Sequence, residues 1–122
     1  MTKEQLDIVL KWKKIFHIRR LPKIIFKKDL RYKGEKLDGL KTGSSKSIQI
    51  DEIFKNDLTG FDKIIGHEFW HFKNDKWEDE ITDILGKTNL DQIYWRYYEE
   101  FINKLIEQII KYKRGNNVQT CE

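Results

Sequence analysis

Apolar residues first recur at helical spacing. After "MT", Leu6, Val9, Trp12, Ile15 and Phe16 follow one another at three- and four-residue intervals among lysines and acids, the period of a helix with one apolar face. Thr2 with Gln5 three residues on has the form of a capping box, each side chain satisfying a backbone N–H of the other, so a helix is predicted over about residues 3–19. Pro22 breaks it, because proline has no N–H and restricts the residue before it. "KIIFK" (23–27) reads as a short strand, and "YKGEKLDGLKTGSSK" (32–46) as a Gly/Ser-rich loop or hairpin region. In "SIQIDEIF" (47–54) the first half alternates, which places Ile48 and Ile50 on one strand face.

From there the pattern is helical. In "NDLTGFDKIIGHEFWHFKN", Thr59 is the predicted N-cap with Asp62 three residues on, and Phe61, Ile64, Ile65, Phe69 and Phe72 form the apolar side. A second, acidic helix is predicted from near Asp75 to Gly86, its buried stripe being Trp77, Ile81, Ile84 and Leu85. A third carries apolar residues at 90, 93, 94, 97, 101, 102, 105, 106 and 109, with Gly115 as its stop signal. Helix, strands and three more helices, without repeats, predict an α+β fold. Residues 1–90 are expected to hold the active machinery and residues 91–122 a C-terminal amphipathic helix and tail within the same compact unit.

Composition narrows the class. A chain of 122 residues with 39% hydrophobic and 36% charged residues suits one folded, charge-covered domain and argues against disorder. The Lys, Ile and Glu bias with one Pro suits a surface rich in ion pairs. No apolar run approaches the roughly 20 residues of a membrane helix, so no membrane partner is expected. The first residues lack a small-residue cleavage site, so no signal peptide is expected there. The single cysteine, Cys121, allows no internal disulfide, and a cytoplasmic setting is the expectation. Charge is uneven: residues 1–50 carry 14 Lys/Arg against 5 Asp/Glu, and residues 51–100 carry 6 against 13. A basic half admits nucleic acid, but these lysines are scattered and no aromatic stacking platform lies between them. Solvated helix and strand edges account for them, and a basic nucleic-acid-binding module is the non-enzymatic alternative.

The chemistry concentrates in "GHEFWH". On a helix, positions i and i+4 share a face, so His67 and His71 can direct both imidazoles at one ion. Glu68 is offset by about 100°, so it leans toward a bound water without being a ligand. Zn2+ lowers that water's pKa to about 7, and the carboxylate takes its proton as it attacks a polarised carbonyl. The expectation is a zinc-dependent hydrolase with one Zn2+ per chain, ligands His67 and His71, and catalytic Glu68. Gly66, inside the same helix, suggests a strand passing close behind it.

Hydrolytic zinc sites use three protein ligands, and no histidine follows His71. Trp77 stands where metzincins place their third histidine, so a carboxylate on the next helix must serve. Glu78, Asp79, Glu80 and Asp83 are the candidates. Asp75 with Glu78 fits a helix cap. Asp79 and Asp83, four apart, share a face, so one can bind metal while the other orients a ligand histidine.

These residues resemble a family. "HEFWH" followed by "DEITDILG" (79–86) is similar to the gluzincin metallopeptidases of the HtpX and CAAX-prenyl-protease type, whose third ligand opens a helical pattern E-x-x-A-D-x-x-G/A. Thr82, Asp83 and Gly86 match that pattern; Asp79 stands where the family has Glu. The small size further resembles the soluble minigluzincins of the abylysin and jannalysin type. The resemblance covers roughly residues 20–90 and has HExxH as its one sharp motif. It implies Asp79 as metal ligand and Asp83 as the orienting acid. It also implies a zinc-dependent endopeptidase acting on a peptide or protein, and a minimal zincin-like domain whose edge strand, identified with 47–51 (Ser47, Ile48, Gln49, Ile50), holds extended substrate by β-augmentation. C-terminal segments keep members of the family latent. Here the last helix, roughly 37 Å long, is expected to pack over the cleft or exchange with a second copy, giving a zymogen and a homodimer. An ImmA-type regulatory protease cutting one partner is the enzymatic alternative.

Overall fold

The fold is seen in a computed structural model that describes the backbone of residues 1–42 and 47–121 and the side chains of residues 1–41 and 47–113. Helix α1 (Lys3–Ile15) begins at the expected capping box: Thr2 Oγ1 accepts from the Gln5 N–H at 3.1 Å and Gln5 Oε1 from the Thr2 N–H at 2.9 Å. It stops before residue 19, and the reason lies at His17, whose φ of 53° is left-handed. With His17 there, its N–H reaches the Lys14 carbonyl (3.3 Å) and the Ile18 N–H the Lys13 carbonyl (3.0 Å), a Schellman motif with buried Ile18 as its apolar contact.

Strands β1 (Lys23–Lys27), β2 (Arg31–Tyr32), β3 (Glu35–Lys36), β4 (Gly39–Thr42) and β5 (Ser47–Asp51) follow. Strands β2 and β3 are joined through Lys33 and Gly34, both with positive φ (52° and 83°), as a two-residue type I′ turn requires. The other three form a mixed sheet in the order β1-β5-β4. Strand β5 runs parallel to β1, with Ile24 opposite Ile48, and antiparallel to β4, with Gly39 opposite Ile50. Ile48 and Ile50 do share a buried face. Strand 47–51 is therefore the centre of the sheet, not its edge, and the backbone of Ser47, Ile48, Gln49 and Ile50 is engaged on both sides. Part of the expected loop, residues 43–46, lies outside the described residues.

Asp51 closes β5 and organises what surrounds it. Its buried carboxylate accepts from the Lys36 ammonium at 2.5 Å, the Leu30 N–H at 2.9 Å and the Ile53 N–H at 3.0 Å. One side chain thus joins the β1–β2 connection, the hairpin and the 3-10 turn Glu52–Asn56.

Helix α2 (Leu58–Lys73) is capped by Asp57, two residues before the expected Thr59; the Asp57 Oδ1 accepts from the Gly60 N–H at 3.0 Å. Asp62 plays no part in the cap. It accepts from Lys11 Nζ and from Trp12 Nε1, both at 2.6 Å, and so binds α2 to α1. Phe61, Ile65 and Phe69, one turn apart, are fully buried, as are Val9 and Trp12 of α1 and Ile48 and Ile50 of β5.

The described chain divides after Asp75 into two compact units, so the acidic helix groups with the C-terminal helix rather than with the first ninety residues. In the second unit, α3 (Asp75–Leu85) and α4 (Asp91–Cys121) meet through aromatic rings. Tyr98 has ring centroids of Trp77, Tyr94 and Trp95 within 5.4–5.7 Å, and its hydroxyl donates to Glu78 Oε2 at 2.6 Å. Burial first, and then the Glu78 charge, push the Tyr94 hydroxyl above the ordinary tyrosine range. On α3 the half-buried residues are Asp75, Glu78, Ile81 and Leu85, whereas Trp77 and Ile84, expected inside, are exposed. On α4 the buried stripe is Tyr98, Ile102, Ile106 and Ile110, while Ile93, Tyr97 and Phe101 are exposed. The helix runs through Gly115, where a stop was expected, since an interior glycine costs only about 1 kcal/mol relative to alanine. No helix among the described residues is long and apolar enough to cross a membrane.

Candidate metal centre

Helix α2 divides its residues by face. Phe61, Ile65 and Phe69 fill the core, and the Asp57 cap fixes where the helix starts, hence which residues turn outward. His67 and His71 fall on a second face, both half-buried. Their ring centroids are 4.9 Å apart and their Nε2 atoms 3.2 Å apart. Two nitrogen lone pairs cannot face each other so closely without a proton or a cation between them. A shared proton makes a histidine–histidine hydrogen bond; a shared cation makes a chelate. Nitrogens about 2.0–2.1 Å from a tetrahedral zinc stand about 3.3–3.4 Å apart. The observed spacing fits that bite with almost no movement of either ring.

Glu68 lies between them in sequence and is 7% exposed. Its surroundings come partly from the sheet. A Cβ on Gly39 of β4 would stand 2.7 Å from Ile64 Cγ2, 3.2 Å from Glu68 Cγ and 3.3 Å from Glu68 Oε1. Only a glycine lets the strand pass this close to the glutamate. A tight strand–helix approach is thus found at Gly39, and Gly66 is buried. Periodicity gave no sign of this contact, because "GLKT" is short and sits in a Gly/Ser-rich stretch. Asp38-Gly39 followed by an alternating triplet was the available signal.

The acids expected to complete the site are placed differently. On α3, the inward positions are 78, 81 and 85, so Asp79 and Asp83 fall on the solvent side. Both are exposed, as is Glu80, and none belongs to a described cluster of three metal-ligating side chains. The half-buried acids of the second unit include Glu78, held by Tyr98, and Glu99 on α4.

No family model matches the chain, and neither a curated protein nor a solved structure does.

Proposed function

We propose that the chain is a zinc-dependent endopeptidase with one zinc ion per chain. The observation that carries this reading is the pair of Nε2 atoms 3.2 Å apart on one helical face, with a largely buried glutamate beside them. His67 and His71 are the nitrogen ligands. The third ligand is a carboxylate, as hydrolytic zinc sites with two histidines require. Asp79 is the choice of the gluzincin resemblance, with Glu78, Glu80 and Asp83 as the alternatives on the same helix. When bound, zinc supplies Lewis acidity at an open position, acidifying water and polarising a carbonyl.

The remaining work falls to the chain. Glu68 accepts the proton of the attacking water and returns it to the leaving amine, the general acid–base role of a carboxylate within hydrogen-bond reach. Its packing against Gly39 limits its rotamers. Extended substrate adds to β4, the antiparallel outer strand of the sheet, in place of the 47–51 segment. Backbone groups of Gly39–Thr42 would then fix the register of the bond to be cut. We place the protein in the cytoplasm, where its one cysteine stays reduced.

The test is metal analysis beside proteolysis. Purified protein should hold one zinc per chain, and His67→Ala or His71→Ala should release it. Glu68→Gln should retain the zinc and lose cleavage of an unstructured protein by roughly 10²–10⁴-fold. Undiminished cleavage by Glu68→Gln, or no uptake of zinc near neutral pH, would overturn the reading. Parallel substitutions Glu78→Gln, Asp79→Asn, Glu80→Gln and Asp83→Asn identify the third ligand by which one lowers zinc affinity.

A further inference from the structure

Strand β4 presents two successive side-chain positions to α2. Gly39 and Lys41, two residues apart, share a strand face. Gly39 lies against Ile64 and Glu68. The Lys41 ammonium stands 3.7 Å from Asp75 Oδ2, the second residue after α2 ends. The strand therefore follows the helix from the Glu68 turn toward its C-terminal end, and His71 lies between those two contacts in sequence.

Lys41 is also poorly paired for its burial. Its side chain is 16% exposed, against 33% for Lys11 and 45% for Lys36. Yet Lys11 and Lys36 hold their carboxylates at 2.6 and 2.5 Å, while Asp75 at 3.7 Å is beyond hydrogen-bond range. An ammonium has three N–H donors, and withdrawing it from water without close acceptors is costly. Among the described residues, the least exposed lysine of these ion pairs is the one with the longest contact. The first unit around it is basic, with 17 Lys/Arg against 11 Asp/Glu over residues 1–75, which draws acidic partners toward it.

We propose that Lys41 is an anion-binding group for substrate: it receives the carboxylate of an Asp or Glu side chain in a peptide laid along β4, and Asp75 holds the ammonium in place until that carboxylate arrives. This rests on the peptidase reading and gives it a substrate class, peptides with an acidic residue close to the bond cut. The residue acts on specificity and takes no part in the proton transfers.

Two measurements on the full chain separate the possibilities. The first is cleavage by the zinc-loaded protein of matched peptide sets carrying Glu, Gln or Lys at each position around the cut bond. Glu should be preferred over Gln by about tenfold at one position, the order expected for one partly desolvated ion pair. Lys41→Met should level that preference, and Lys41→Glu should turn it toward Lys. The second is fluorescence anisotropy of the same labelled peptides on zinc-loaded Glu68→Gln protein, which reads binding without turnover. The Glu peptide should bind about tenfold more weakly once Lys41→Met is added. Cleavage without charge preference, or a preference that survives Lys41→Met, overturns the assignment and leaves the peptidase intact. Lys41-dependent binding without any cleavage by the unsubstituted protein keeps the anion site and overturns the peptidase. Neither binding nor cleavage overturns both.

Discussion

Gly39→Ala adds one methyl group at the closest approach of the sheet to the helix bearing the HExxH residues. Carbon atoms in favourable contact stand about 3.5–4.0 Å apart. The new Cβ would be 2.7 Å from Ile64 Cγ2 and 3.2 Å from Glu68 Cγ, so one side must yield by close to 1 Å. Helix α2 has little room to yield, with Phe61, Ile65 and Phe69 fully buried on its other face. The Ile64 methyl is attached directly to a branched Cβ and cannot swing aside as a long chain can. Strand β4 is an outer strand, so it gives way, at the expense of its ladder with β5, where Gly39 faces Ile50. Overpacking of this kind costs about 1–3 kcal/mol, and the reduced freedom of the unfolded chain returns about 0.4–1 kcal/mol. A net loss of about 1–2 kcal/mol is expected, read as a lower urea midpoint with an unchanged slope. Activity should fall further than stability, because a 1 Å displacement of a catalytic group can cost about 10²-fold. Gly34→Ala is the control: nothing lies within 4 Å of its Cβ, but its φ of 83° is strained for alanine. It should lower stability by about 1 kcal/mol and leave cleavage unchanged. A Gly39→Ala protein with the parental midpoint and rate would refute the close approach of β4 to Glu68.

Other consequences are equally direct. His17→Gly should raise stability by about 1 kcal/mol, because the left-handed C-terminal position of α1 is occupied by a residue with a Cβ; a thermal melt checks it. Asp51 has its carboxyl held down at about 2, first by the Lys36 ammonium and then by the Ile53 and Leu30 N–H groups, against an ordinary value of 3.8. A folded value below the unfolded one stabilises the protein above about pH 4 and loses that stabilisation as pH falls toward 2. Urea midpoints measured across that window should therefore fall more steeply for the parent than for Asp51→Asn. Tyr98→Phe removes the donor to Glu78 and should cost about 1.5 kcal/mol, seen as an earlier melt of the α3–α4 signal in far-ultraviolet dichroism.

What could be read from the chain and what could not divides along the range of the interactions involved. The capping box of α1 and the His67–His71 pair depend on residues three or four apart, where helix geometry alone fixes the neighbours. The α+β order followed from apolar periods in the same way. Termini failed where a local competitor was stronger: the left-handed His17 ended α1 early, and Asp57 captured the cap assigned to Thr59. Sheet order is a non-local property, and there the reading went astray. "SIQID" was assigned to the edge, yet all five residues are buried or half-buried, the profile of a strand paired on both sides. The strand that covers its flank, "GLKT", is too short to carry a period and begins with the glycine that permits its contact with Glu68.

The third ligand of the proposed zinc site was hardest to read for a different reason. With 20 acids in 122 residues, carboxylate position carries little information, and only burial discriminates among them. Burial separates Glu78, Asp79, Glu80 and Asp83 cleanly, because α3 turns 78, 81 and 85 inward and leaves the other acids to water. A carboxylate exposed on that face gains little from a cation it must leave solvent to reach, whereas one already partly withdrawn has met most of that desolvation cost on folding. Zinc affinity should therefore respond more to Glu78→Gln than to Asp79→Asn. The opposite ranking would refute burial as what selects the ligand.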